Sequence, residues 1–237
     1  MVISFGTIAW WFTKFKMGRI KAHPITKEDF DKLLEAAMKE RSKWWKPRKK
    51  TYSARGQRVQ QYIIAMCLAF GSGMRISEIF GLTKKQRYVY TKKNGPEEER
   101  NVDRIITSNI PALTYDCFEE RFIYLKRRKN GKSGRVLLPN KIFRQAKIPQ
   151  DVLKRKLPLK VSYRSTQKWF TQLCADVLKK HSTFHQLRHG FITHALTKTK
   201  LEIHEVQQLA GHSRMDTTGL YLHAIPNDMA DKYEEGF

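Results

Sequence analysis

Apolar positions along the chain recur mostly at helical spacing, and the exceptions gather in one central stretch. Phe30, Leu33, Leu34 and Ala37 fall on one face of a helix that Thr26 can cap, with Asp29 three residues on. Val59, Tyr62, Ile63, Met66 and Phe70 predict a second helix, stopped by Gly71-Ser72-Gly73. Ser77 is placed to cap a short helix running through Phe80 and Leu82. After Pro158, Trp169, Phe170, Leu173, Val177 and Leu178 share one helical face. Leu187, Phe191, Ile192 and Ala195 share another, and Ile203, Val206 and Leu209 a third.

From about residue 87 to 136 the period changes. β-like runs occupy 102–107 and 122–126, Asn130-Gly131 and Ser133-Gly134 supply a turn, and Val136, Leu137 and Leu138 form the returning strand. No repeat or low-complexity segment interrupts the pattern. It predicts an α+β domain, mostly α, with a small antiparallel β-sheet or hairpin inserted among the helices.

At 237 residues with 41% hydrophobic and 11% aromatic positions, the chain holds enough material for one packed domain, and disorder of the whole is excluded. Charge adds a partner. Lys and Arg number 46 against 22 Asp and Glu, a net +24, and the sequence pI is near 10.1. Such a field favours a polyanion, nucleic acid before a membrane surface. Cys67, Cys117 and Cys174 form no CxxC pair, which fits a reduced, cytoplasmic protein; Cys67 and Cys174 sit in apolar helical patterns as core residues. The apolar start, residues 1–12, is too short to span a bilayer and lacks a positive segment before it, so no membrane or signal role is expected.

Three short stretches place polar groups beside apolar ones: Gly73-Met-Arg75-Ile-Ser-Glu78, His185-Gln-Leu-Arg188-His189, and Gly211-His212 followed by Asp216-Thr217-Thr218-Gly-Leu-Tyr221. Arg75 alone reads equally as a helix-start arginine paired with Glu78. His185 and His189 have a metal-binding spacing, but an arginine stands where a metalloprotease helix needs glutamate, and no third ligand is evident. His212 alone reads as a helix cap, and Tyr221 as an ordinary half-buried tyrosine.

Together, an arginine, a hairpin lysine, HxLRH, GH and a tyrosine nine residues after that histidine resemble the tyrosine recombinases of the phage-integrase family. GMRISEIFGL is similar to the family's first-arginine box, HQLRHGFITHAL to its HxxR box, and LAGHSRMDTTGLYLH to its histidine–tyrosine box. The resemblance runs from about Ile25 to Phe237. It implies the recombinase catalytic fold, Tyr221 as nucleophile, and a 3′-phosphotyrosyl intermediate made without metal, ATP or other cofactor. Arg75 and Arg188 would grip the non-bridging phosphate oxygens through planar hydrogen bonds. His185 would bond the phosphate and handle the tyrosine proton, His212 would contact the scissile phosphate, and Glu78 would orient Arg75. His189 reads as structural. The general acid falls on the hairpin, at Lys132 with Lys129 as second choice.

DNA contacts are expected at Lys126, Arg127 and Arg128 on that hairpin. They are also expected from the basic stretch 41–58, through Lys43, Lys46, Arg48, Lys49 and Lys50. The partner implied is double-stranded DNA, engaged by a homo-tetramer.

The chain divides into a 1–24 extension and a 25–237 catalytic domain whose last residues, 226–237, would dock on a neighbouring protomer. The core-binding domain that usually precedes this one is expected to be absent, supplied by a partner or lying outside this chain. Two rival functions stay open on sequence grounds: a type IB topoisomerase relaxing supercoils, and a non-catalytic DNA-binding protein of the same fold.

Overall fold

The computed structural model describes residues 24–91, 101–119, 121–127, 133–199 and 201–211, with 84–91 and 101–108 described by their backbone alone. The helices are α1 (Lys27–Ser42), α2 (Ala54–Gly71), α3 (Ile76–Phe80), α4 (Asn140–Gln145), α5 (Gln150–Lys156), α6 (Tyr163–Leu178), α7 (His185–Lys198) and α8 (Ile203–Ala210). Antiparallel ribbons join β1 (Trp45–Lys46) to β2 (Thr51–Tyr52), β3 (Leu82–Thr91) to β4 (Asn101–Ile110), and β5 (Phe122–Leu125) to β6 (Gly134–Leu137).

Thr26 caps α1 as the sequence predicts, its hydroxyl accepting the Asp29 amide at 3.1 Å. Glu28 and Asp29 occupy the first turn and Lys39 and Arg41 the last, each sign complementing the helix dipole. The buried face is Phe30, Leu33, Leu34 and Ala37. Ser53 caps α2 through the Gly56 amide, and α2 is buried without a break from Ile63 to Phe70. It is the central helix: α1, α6 and α7 all pack on it, and α6 also packs on α1. Phe30 stacks on Phe70 with centroids 4.2 Å apart, and Phe170 meets Phe184 edge-on at 5.4 Å. Burying each ring contributes ~2 kcal/mol. A smaller cluster of Phe191, Ile192, Ala195, Val206 and Ala210 fastens α7 to α8.

Three details differ from the sequence expectation. Arg75, not Ser77, is the N-cap of α3, because the Glu78 carboxylate returns to the Arg75 amide at 2.8 Å. The helix also ends at Phe80, and Leu82 opens a ten-residue strand instead. Among the described residues the β-structure is three separate two-stranded ribbons, not one sheet; β3 and β4 pair from Leu82↔Ile110 to Thr91↔Asn101. Helices α4 and α5 have no counterpart in the apolar pattern, since each buries a single side chain, Phe143 and Leu153, and one position makes no period.

Gly190 lets α7 approach the chain entering α1. A Cβ there would lie 2.0 Å from the Ile25 carbonyl oxygen, in the same place where the Ile25 amide bonds the Gln186 carbonyl. This crossing fixes the start of α7, which carries His185 and Arg188.

Candidate active site

Arg75 stands at the turn between α2 and α3, and the capping of α3 aims it. The Glu78 side chain is fully buried; its Oε2 takes the Arg75 amide and its Oε1 takes Arg75 Nη1 at 3.0 Å. A buried carboxylate needs such a partner to remain charged. The structural and functional readings of Arg75 are thus compatible: Glu78 holds one edge of the guanidinium, and the side chain keeps 19% exposure.

Arg188 approaches from α7 and is almost wholly buried, at 2% exposure. Its guanidinium donates to two main-chain carbonyls, Nη1 to Gly73 and Nη2 to Ala210 at 2.6 Å. Gly73 sits at φ +64 with Phe191 against its α-carbon, so a side chain there would be both strained and obstructed. Arg75 Nη2 reaches the next carbonyl, that of Gly211, at 3.4 Å. Gly211 is left-handed at φ +63 and closes α8 by donating to the Gln207 and Gln208 carbonyls. Both arginines therefore converge on the C-terminal end of α8, on the carbonyls of its last residue and of its cap, where the helix dipole is negative. The backbone acceptors at Gly73, Ala210 and Gly211 were not identified from the sequence; the isolated glycines were the available signal for two of them.

His185 is the first residue of α7 and exposed, and His189 follows one turn later with ring centroids 4.5 Å apart and nearly perpendicular. Burial, and then the neighbouring Arg188 charge, push the His189 pKa below the ordinary histidine value. Among the described residues no group of three or more His, Cys, Asp or Glu side chains is gathered. Arg75, Glu78 and Arg188 are thus brought together around α3 and the end of α8, and His185 stands on α7 one turn before Arg188. Lys132, Lys129, Arg128, His212 and Tyr221 lie outside the described residues, as do the tail 226–237 and all of the N-terminal extension before residue 24.

The basic stretch divides. Lys43, Lys46, Arg48, Lys49 and Lys50 are exposed on and around the β1–β2 ribbon. Arg41 is not: it is 4% exposed and donates Nη2 to the Ala146 carbonyl at 3.1 Å, tying α1 to the end of α4. Trp45 packs edge-on against Tyr52 at 4.9 Å across the ribbon, and Arg55 of α2 lies over the Trp44 ring at 4.7 Å, so Trp45 joins the two strands and Trp44 ties their start to α2. At the other hairpin Arg127 is exposed, while Lys126 pairs with Asp116 at 2.5 Å. That bond raises the lysine pKa and, with Thr114, lowers that of the aspartate.

A helical domain with antiparallel ribbons, its two site arginines meeting at one helix end, has the fold of the tyrosine recombinases. The crystal structure of XerA recombinase aligns over 90% of this chain and 65% of its own, with TM-score 0.55 and 18% identity. The Tn1549 transposon integrase in complex with transposon right end DNA aligns over 94% and 68%, with TM-score 0.53 and 15% identity. Residues 25–227 match the phage integrase family, and the chain belongs to it. The tyrosine recombinase XerC of Vibrio vulnificus is 36% identical over 81 residues, 34% of this chain and 25% of that protein. XerC of Neisseria meningitidis serogroup B is 26% identical over 172 residues, 71% of this chain and 49% of that protein. The chain spans about half or less of the length of these curated relatives.

Proposed function

We propose that this chain is the catalytic part of a site-specific DNA recombinase that breaks and rejoins strands through Tyr221. The observation that carries the reading is the convergence of Arg75 and Arg188 on the Ala210 and Gly211 carbonyls, immediately before His212. Two guanidiniums at one point suit the non-bridging oxygens of a phosphodiester, whose charge grows as the phosphorus becomes five-coordinate. Arginines can thereby perform the electrostatic task that metal ions perform in many nucleases.

In this reading the Tyr221 oxygen attacks phosphorus and its proton passes to His185. The bond to the 5′-oxygen breaks, and Lys132, or Lys129 beside it, protonates that oxygen. His212 contacts the same phosphate. The 3′-phosphotyrosyl bond retains the energy of the broken phosphodiester, so a second strand's 5′-hydroxyl can reverse the step and complete an exchange without ATP.

Double-stranded DNA is the partner that the +24 charge favours. The exposed cations Lys43, Lys46, Arg48, Lys49, Lys50 and Arg127 fit contacts to its backbone. Lys126 joins them if it leaves Asp116. Assembly as a homo-tetramer, docking of 226–237 on a neighbour, and a core-binding domain supplied from outside 25–237 complete the proposal. Among the described residues no helix is long and apolar enough to cross a membrane.

A nicked suicide substrate tests the chemistry. Wild-type protein is expected to form a covalent adduct stable on a denaturing gel, and Tyr221→Phe is expected to form none while still binding DNA. An adduct that persists in Tyr221→Phe removes Tyr221 from the role. Site-independent relaxation of a supercoiled plasmid without strand exchange would favour a topoisomerase instead.

A further inference from the structure

Phe191 stands three residues after Arg188 on α7, so the two share one face of the helix. The apolar pattern accounts for it as core, and it is buried, in the cluster that includes Val206 and Ala210 of α8. One edge of its ring, however, lies against Gly73. A Cβ on that glycine would fall 2.4 Å from Phe191 Cδ1, 2.7 Å from Cε1 and 3.2 Å from Cγ.

We propose that Phe191 is a positioning residue for the paired arginines, its ring holding the Gly73 peptide so that the carbonyl meets the Arg188 guanidinium. The proposal rests on the recombinase reading and adds to it a side chain with no polar group to offer the reaction. Arg188 has two carbonyl anchors, Gly73 for Nη1 in the turn from α2 to α3 and Ala210 for Nη2 at the end of α8. Phe191 reaches both segments: it touches Gly73 directly and shares its apolar cluster with Ala210.

The direction of the Gly73 carbonyl needs such a support. A glycine at φ +64 has no Cβ to restrict its peptide planes, so the neighbour that fills the space of the missing Cβ decides where the carbonyl points. Two residues on, the same turn delivers Arg75 to the Glu78 carboxylate and the Gly211 carbonyl. A shift at Gly73 therefore moves the Arg188 anchor and the approach to Arg75 together. Leucine at position 191 lacks the planar ring and leaves room beside Gly73 for that shift. Tyrosine keeps the Cγ–Cδ1–Cε1 edge and adds its hydroxyl at the far end of the ring.

The test is single-turnover adduct formation on the nicked suicide substrate at saturating DNA, with DNA affinity and melting temperature measured on the same preparations. It compares wild-type protein with Phe191→Leu, Phe191→Tyr, Arg188→Lys and Ile192→Val. Ile192 is a fully buried member of the same cluster that is not among the atoms nearest Gly73. Phe191→Leu is expected to slow adduct formation about 10- to 100-fold, the scale on which ~1 Å of misplacement acts, with DNA affinity changed less than about 2-fold. Phe191→Tyr should recover most of the rate, and Ile192→Val should lower the melting temperature while keeping the wild-type rate. A substrate with a methyl group in place of one non-bridging oxygen of the scissile phosphate removes the charge that the arginines neutralise. The losses in Phe191→Leu and Arg188→Lys should both shrink on it.

A wild-type rate in Phe191→Leu, or an equal loss in Ile192→Val, would overturn the proposal and leave the recombinase reading standing. So would a Phe191→Leu loss undiminished on the methylated substrate. A wild-type protein that forms no adduct would overturn both.

Discussion

Arg75 and Arg188 donate to adjacent main-chain carbonyls, those of Gly211 and Ala210, although one caps α3, the other lies within α7, and they stand far apart in sequence. The contact runs in both directions. It orients two guanidiniums against one helix end, and it fixes the point from which the chain proceeds to His212.

Gly211 is the joint of this arrangement, and its φ of +63 selects the residue. Gly211→Ala forces a Cβ into left-handed backbone at a cost of ~1 kcal/mol, and the chain can relieve that strain only by turning the carbonyl away from Arg75. Asparagine tolerates this conformation better than alanine. The expected order of adduct formation is wild type, then Gly211→Asn, then Gly211→Ala, with DNA affinity little changed. Single-turnover assays on a suicide substrate read the order. Equal rates for the two variants would show that the conformation of Gly211 does not matter.

Glu78 should matter through Arg75. Its buried carboxylate satisfies both the Arg75 amide and Nη1, so Glu78→Ala leaves a partly buried guanidinium and the N-cap amide of α3 without that acceptor. Breaking a buried pair on one side costs roughly 3 kcal/mol. Urea denaturation should show a loss of that order. Glu78→Gln retains one acceptor but sets an amide group toward a donor, and is expected to fall between. Adduct formation should decline in both variants at temperatures where they remain folded.

The helices were legible because their apolar faces are wide. Phe30, Leu33, Leu34 and Ala37 repeat at the period of α1 and are buried there, and the same holds for Leu187, Phe191, Ile192 and Ala195 in α7. The helices α4 and α5 were not legible, since each buries one residue and is held by its neighbours. The side chains of the site were legible as chemistry, whereas their acceptors were not. Arg188 binds the carbonyls of Gly73 and Ala210, and a carbonyl leaves no trace in a sequence. Local charge left one thing unread, because a run of cations does not show which member turns inward.

Arg41 is that member. It begins the basic stretch but is buried, with Nη2 on the Ala146 carbonyl and its guanidinium 5.6 Å from the centre of the Tyr52 ring. Arg41→Ala removes buried packing and a hydrogen bond to a charged group, for a loss of roughly 2–4 kcal/mol. Lys49→Ala, on the surface, should change stability by less than ~0.5 kcal/mol. Salt-dependent DNA binding should show the reverse order, with Lys49→Ala the weaker binder. Thermal denaturation and anisotropy on the same two variants check both halves.

The pH response follows from His189. Its pKa lies below the ordinary histidine value of 6.5 because burial, and secondarily Arg188, disfavours the charged ring. The unfolded chain therefore binds a proton that the folded one refuses as pH falls below that value. Folding stability from this group is fully present above pH 6.5 and is lost as pH drops through the lowered folded-state pKa. His194 contributes in the same direction, its pKa lowered by burial and then by Lys27. The melting temperature should thus decline from about pH 7.5 to about pH 5.5. His189→Asn, which cannot protonate, should flatten that decline even if it lowers the melting temperature at the upper end by removing packing against His185. A decline of unchanged steepness in His189→Asn would assign the acid sensitivity to other groups.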